Sequence, residues 1–292
     1  MLKIEVEATS ANLCVGFDVL GLALDLKNTF TFTKADETSF EGFLDEFSKK
    51  ETNLVYEAYK LVFDKANKEA VDVKIGYQGD IPLSRGLGSS SSLIVAGIFA
   101  ANYFLGNPYT KDELFQFATE LEGHPDNVAP AIYGGLVASY KKDNQYYPTK
   151  YEVSDDLKFT VLIPPYPIST AMARTVLPKS LEYKDIVWNL SRIVNIPLAF
   201  SKGDIPLLKD LFSDKLHEPY RKTLIKDYDK VNNILKDKEC ALSISGSGSC
   251  MLVVSKDLAF IEDLKDLNLQ IKTLNVGVGV LLEELWKIMN IM

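Results

Sequence analysis

Two glycines two apart, followed at once by four consecutive serines, stand in residues 80–93, DIPLSRGLGSSSSL. Glycine allows positive φ and lets a ligand approach the backbone closely. The apolar run 93–103 follows directly and predicts a helix whose N-terminus is the serine cluster. The unpaired N–H groups of such a terminus form a site for an anion such as phosphate. Serine hydroxyls there can cap the helix, donate to phosphate oxygens or ligate Mg²⁺. The competing reading is a Gly-Ser turn that merely caps a core helix. The stretch is neither a Walker A loop, since GxxxxGK[ST] is absent, nor a dinucleotide fingerprint, since the third glycine is missing. Elsewhere, Asn12 offers an amide that donates and accepts, and Asp18 can hold an ammonium or accept from a hydroxyl. Arg174 and Arg221 carry guanidinium forks suited to a carboxylate, although a solvated surface is the commoner fate of arginine.

The elements that must position these residues follow from periodicity. Alternation predicts strands over 3–7 and 29–34, and strands are also read over 71–77, 136–140, 146–153, 158–163, 240–245, 250–255, 269–274 and 276–282. Leu54, Ala58, Leu61 and Val62 share one face of a helix over 53–65, and further helices are expected over 112–122 and 258–267. Residues 180–237 read as mainly helical, broken by Pro197, Gly203 and Pro219, whereas residues 35–51 are charged, turn-rich and aperiodic. A soft boundary falls between 150 and 157, where Tyr-rich polar sequence gives way to an apolar strand. Strand-rich sequence first and mixed sequence later suits an α+β architecture.

With 292 residues, 47% hydrophobic and 25% charged, the chain can bury a substantial core. A net charge of −8 argues against a nucleic-acid surface. Cys14, Cys240 and Cys250 have no CxxC spacing, so neither a disulfide framework nor a zinc site is expected. The start MLKIEVEATS is unlike a signal peptide, and no apolar run reaches the ~18 residues of a membrane span. A cytoplasmic protein without nucleic-acid or membrane partners is the expectation.

Several stretches resemble one known family. PLSRGLGSSSS is similar to the ATP-phosphate loop of the GHMP kinases, usually written PxxxGLGSSAA. ATSANLCVGFD (8–18) resembles the N-terminal motif of homoserine kinases, TSANLGPGFD, departing from it at Cys14 and Val15. ELEGHPDNVAPAIYGG (120–135) resembles that family's signature, STAMARTVLP (169–178) its TxxARxxLP, and HEPYR (217–221) a further segment. SISGSGSCM (243–251) resembles the third GHMP motif, with Ser249 in place of the usual proline.

The resemblance implies the GHMP kinase fold: an N-terminal ribosomal protein S5-like domain over 1–155 and a C-terminal ferredoxin-like α/β sandwich over 156–292, with the site in the cleft between them. It implies ATP-dependent phosphorylation of the L-homoserine hydroxyl, with Mg²⁺, by a homodimer. Nucleotide contacts are carried over to Pro82, Leu83, Ser84, Arg85, Gly86, Leu87, Gly88, Ser89, Ser90, Ser91 and Ser92, with Gly246 and Gly248. Amino-acid contacts fall to Asn12, Asp18, His124, Asn127, Thr170, Arg174 and Arg221, of which Asn127, Asp18 and Arg174 form the catalytic set. Glu122 and Ser90 would hold the metal, with Glu120 and Ser89 as rivals. Asp126 could instead cap a helix starting near Val128. A mevalonate-type kinase and a non-catalytic ATP-binding sensor are the alternative functions. Asn127 stands where mevalonate kinases place an aspartate, so a base-free transfer is expected.

Overall fold

The computed structural model describes residues 1–285. Its first half contains β1 (Leu2–Ala11), β2 (Leu20–Lys34), β3 (Ser39–Glu41), α1 (Leu54–Lys65), β4 (Val73–Gly79), α2 (Ser89–Phe104), α3 (Lys111–Glu122), α4 (Pro125–Tyr133), β5 (Leu136–Lys142) and β6 (Gln145–Tyr151). β1 alternates as its sequence requires, with Leu2, Ile4 and Val6 facing the core. β2 is long enough to serve two partners: residues 20–22 pair with β5, and residues 28–34 pair with β4. α1 starts at Asn53, whose side chain accepts from Tyr56 N, and α3 starts at a capping box formed by Thr110 and Glu113. α2 is buried along almost its whole length, which explains why its sequence lacks a polar face.

The second half contains β7 (Lys158–Ile163), α5 (Thr170–Thr175), α6 (Tyr183–Ile193), α7 (Ile196–Lys202), α8 (Ile205–Leu211), α9 (Glu218–Arg221), α10 (Tyr228–Leu235), β8 (Cys240–Ile244), β9 (Met251–Ser255), β10 (Gln270–Leu274) and β11 (Leu281–Glu284). β7 to β10 form an antiparallel sheet in the order β10-β7-β9-β8, the ferredoxin-like arrangement. The fold is thus mixed α+β. β11 leaves this half and pairs with β1 at the edge of the first sheet. Leu13, Leu22, Leu87 and Leu136 of the first half pack with Phe159, Val161, Phe200 and Leu252 of the second in one shared core. Among the described residues no helix is long and apolar enough to cross a membrane.

Three expectations are corrected. Pro197 and Pro219 do not break helices but open α7 and α9 within their first turns, where a missing N–H costs nothing. Residues 259–264 form a 3₁₀ turn rather than a helix over 258–267. Residues 276–280 are not strand: Gly279 has φ +96°, and its N–H donates to the buried Glu7 carboxylate instead of a ladder.

The packing of α4 on β2 is the fold feature that bears most directly on the site. A Cβ on Gly21 would fall on the main-chain carbonyl of Asp126, far inside contact distance. Gly21→Ala should therefore cost about 1–3 kcal/mol of stability and move the start of α4. Thermal denaturation and kcat should fall together, and a variant with unchanged Tm would show that α4 is not seated on this contact.

Candidate active site

Local backbone geometry builds the phosphate end. Ser84, Gly86 and Gly88 have φ of +53°, +78° and +68°, so the loop between β4 and α2 curls left-handed three times. A side chain at Gly86 would strike the Ser245 carbonyl, and one at Gly88 would strike the Thr9 hydroxyl. Gly88 caps α2 without any side-chain bond. Ser92 N is the first to bond back, to Gly88 O at 3.0 Å, so the N–H groups before it face the cleft. The Ser89 hydroxyl is buried with no partner among the described residues. Ser90 and Ser91 each donate to Glu122 Oε1 at 2.8 Å.

Glu122 ends α3, and Gly123, at φ +88°, turns the chain into α4. Burial pushes the Glu122 carboxyl above its ordinary value, opposed by the two serine hydroxyls. Glu120 points away from the cleft and pairs with Lys65 at 2.8 Å. Asp126 does not cap α4: that helix starts at Pro125, and Asp126 Oδ1 instead meets His124 Nδ1 at 2.7 Å. Burial opposes charge on His124, but the Asp126 carboxylate outweighs it and holds the imidazole pKa above its usual value. Asn127 Oδ1 accepts from the Thr9 hydroxyl at 2.8 Å.

The opposite end is built on the loop after β1. Asn12, Leu13, Cys14 and Asp18 all have positive φ, an uncommon run for residues with side chains. It is held by Asn12, which donates through Nδ2 to Gly246 O at 2.8 Å and accepts from Asp18 N at 3.0 Å. Arg174 from α5 donates twice to the Asp18 carboxylate. Arg221 is 2% exposed. Its Nε donates to Ala173 O at 3.3 Å and its Nη1 to Gly246 O at 3.1 Å. Burial, and next to it the charge of Arg174, lower the Arg221 pKa. Behind the loop, His217 Nε2 meets Cys14 O at 2.6 Å, while Asp214 Oδ2 accepts from the main-chain N–H groups of residues 216, 217 and 218. Burial pushes the Glu218 carboxyl up to about 8.

One cavity of about 620 Å³ joins the two ends. Asn12, Asp18, Pro82, Leu83, Ser84, Arg85, Gly86, Gly88, Ser89, Ser90, Glu122, His124, Asn127, Thr170, Arg174, Arg221 and Gly246 all line it. Leu87, Ser91, Ser92 and Gly248 do not. The Leu87 side chain is core, and its carbonyl accepts from Thr9 N. Ser91 supports Glu122, Ser92 turns inward to Ser89 O, and Gly248 N closes the turn onto Ser245 O. The sequence reading missed Phe43, Phe47, Leu54, Val55 and Tyr77, which give the cavity apolar and aromatic walls. Phe40, Phe43 and Phe47, spaced through a charged segment, were the available signal.

The donor set suits Mg²⁺ in kind: the Glu122 carboxylate and the Ser90 hydroxyl are hard oxygen donors side by side at the helix end, and Mg²⁺ takes one or two protein oxygens beside phosphate. The partnerless Ser89 hydroxyl is a further oxygen at the same helix end.

Residues 53–135 match the GHMP kinases N terminal domain, so fold and site define a GHMP-type small-molecule kinase. The chain is 42% identical over 283 residues to a homoserine kinase of Clostridium beijerinckii, covering 95% of this chain and 94% of that one. A homoserine kinase of Clostridium botulinum strain Langeland is 40% identical over 275 residues, 94% of this chain and 91% of that one. The crystal structure of homoserine kinase from Cytophaga hutchinsonii superposes with a TM-score of 0.86 at 28% identity, covering 97% of each chain. The chain belongs to the homoserine kinase family. A mevalonate kinase from Methanococcus jannaschii, at 19% identity and a TM-score of 0.71, shares the fold.

The buried Glu218 gives a pH signature. An unfolded chain releases this proton near 4.5, whereas the folded protein keeps it to about 8. Between those values the folded state binds the extra proton, so this carboxyl makes stability fall as pH rises. Glu218→Gln should remove that slope, so its Tm should gain on the wild type between about pH 5 and about pH 8. Parallel Tm profiles would show that the carboxyl is not held protonated.

Proposed function

We propose that this chain transfers the γ-phosphoryl group of ATP to the side-chain hydroxyl of L-homoserine, giving O-phospho-L-homoserine for threonine biosynthesis. The observation that carries this reading is the single cavity with a phosphate-type helix N-terminus at its centre, apolar walls on one side and two arginines with Asp18 on the other. The adenine ring takes the apolar end between Phe43, Leu54, Val55 and Tyr77. The phosphates meet the N–H groups at the start of α2 and the Ser89 and Ser90 hydroxyls, where the helix dipole favours negative charge. Glu122 and the Ser90 or Ser89 hydroxyl would hold Mg²⁺, which when bound offsets charge building on the transferred group.

Homoserine takes the other end. Arg221 and Arg174 receive its carboxylate, Asp18 its ammonium, and Asn127 orients its hydroxyl, with Asn12, His124 and Thr170 completing the wall. Closing the carboxylate onto Arg221 relieves the burial penalty of a guanidinium that has no carboxylate within 4.0 Å among the described residues. A mevalonate-type acceptor has no ammonium for Asp18. A sensor would have no use for the glutamate and serines gathered where the γ-phosphate would lie.

A panel with coupled ADP detection tests the assignment: homoserine should be turned over faster than threonine, serine, mevalonate or galactose, and a faster sugar or mevalonate would reject it. Glu122→Gln should raise the half-saturating Mg²⁺ concentration roughly 10- to 100-fold and lower kcat; unaltered Mg²⁺ dependence would remove Glu122 from the metal site. Asn127→Asp should not speed the reaction and should weaken homoserine through repulsion from Asp18 and the phosphates. A rate gain would mean that a base at this position helps.

A further inference from the structure

At the acceptor end, one cation and one anion already satisfy each other. Arg174 Nη1 donates to Asp18 Oδ2 at 3.1 Å and Nη2 to Oδ1 at 2.9 Å, a parallel two-bond pair. Its side chains are 39% and 35% exposed, so the pair is accessible from the cleft and only partly desolvated. Arg221 is different: it is buried, its Nε and Nη1 donate to main-chain carbonyls, its Nη1 also lies 3.4 Å from His217 Nδ1, and it has no carboxylate within 4.0 Å among the described residues. The ring of Phe17 faces both guanidinium groups, at 5.7 Å from Arg174 and 5.0 Å from Arg221. The end therefore has a fixed cation and an exchangeable one.

The consequence depends on the charges an acceptor carries. A zwitterion can part Asp18 from Arg174 and leave neither alone, because its ammonium replaces the guanidinium and its carboxylate replaces Asp18. A hydroxy acid without an ammonium must either strand Asp18 or make do with Arg221. An amino alcohol without a carboxylate strands Arg174 beside Arg221, a like charge. We propose that the Asp18–Arg174 pair is a charge gate on the acceptor site, opened by a zwitterion and held closed against an acceptor with a single charge. This rests on the reading that this end binds an amino acid. Selectivity then arises from a competitor built into the protein, a repulsive element against the wrong ligand added to contacts with the right one.

The gate makes a prediction that simple contact loss does not. Asp18→Asn removes the internal competitor for Arg174, so an acceptor with only a carboxylate should bind more tightly. Asp18 has φ +57°, a region asparagine tolerates, so the replacement keeps the loop. Arg174→Met should in the same way free Asp18 for an acceptor with only an ammonium.

Dissociation constants by calorimetry on the full chain, for 4-hydroxybutanoate, 3-aminopropan-1-ol and homoserine, test this. In Asp18→Asn, 4-hydroxybutanoate should bind roughly two- to fivefold more tightly, the scale of a half-exposed ion pair, while homoserine weakens roughly 10- to 100-fold. In Arg174→Met, 3-aminopropan-1-ol should tighten by the same small factor. If each analogue binds its freed variant no better than the wild type, there is no gate. Binding is read without turnover, so a failed gate leaves the kinase assignment to the ADP panel, and a failed panel leaves the gate to calorimetry. Unchanged Tm and ATP affinity confirm that the variants are folded.

Discussion

Three turns from distant parts of the sequence meet at the floor of the cleft, with no room for side chains between them. Gly246 N donates to Ala11 O at 3.1 Å, and Cys250 N to Arg85 O at 3.0 Å. Ser245 Oγ reaches Gly86 O at 2.7 Å. The turn after β8 thus grips the end of β1 and the phosphate loop at once. Its Gly246 carbonyl also accepts from Asn12 and from Arg221. Buried bonds of this kind are strong where satisfied and costly when one partner is lost. The loop before α2, the loop after β1 and the buried Arg221 are therefore set relative to one another by main chain. This is why Gly86 and Gly246 sit where a Cβ would press on the opposing backbone. Ser249, standing where proline is usual, donates to Tyr166 O at 2.5 Å and so ties the turn to the segment after β7.

A chain with a net charge of −8 must gather its positive potential locally to bind a nucleotide and a carboxylate. It does so in two separate places. The start of α2 supplies oriented N–H groups without any formal charge, and Arg174 and Arg221 supply two formal charges on the far side of Asn127. Glu122 sits beside the α2 start, Asp18 beside Arg174, and both line the same cavity as Asp126. In the proposed complex, phosphate and carboxylate would each face its own donors at opposite ends of the cavity. Burial raises the Glu122 pKa against the two serine hydroxyls and the nearby His124, a state that a bound cation would relieve.

The elements with strong periodicity were legible in the sequence. β7 runs over residues 158–163, where an apolar strand was read, α1 and α3 begin at capping residues, and the α2 N-terminus falls at the serine cluster. The two ends of the cavity were legible as motifs because glycine and serine runs have few other uses in that order. What was hidden shares a cause: it depends on partners far away in sequence. Residues 276–282 look like one strand, but Gly277 and Gly279 answer to Ala23 and Glu7, and pairing resumes only at Leu281. Phe43 and Phe47 sit in a charged, aperiodic segment because they line a cavity rather than one face of a regular element. Thr9 reads as one residue of the small polar stretch after the first strand, and nothing local announces that its hydroxyl meets Asn127 or that it requires glycine at position 88.

That Thr9 contact bears on where the hydroxyl proton would go under the proposed reaction. The Asn127 Oδ1 is already occupied by the Thr9 hydroxyl, which leaves the amide's Nδ2 to face the acceptor. An N–H group can only donate, so Asn127 can fix the acceptor oxygen but not take its proton. Asp18, the nearest rival, is turned toward Arg174 and, in the proposed complex, toward the substrate ammonium. His124 is a poor base as well, because its Nδ1 is committed to Asp126 and its raised pKa favours the protonated ring. With none of the three able to serve, the acceptor oxygen in the proposed complex would give its proton to the phosphate rather than to a side chain. In a loose transition state little charge develops on the attacking oxygen before that proton leaves, so a strong base has little to contribute. The enzyme's share of the work is then alignment: three turns locked by main chain, one amide held by one threonine, and an amino acid fixed by its own two charges.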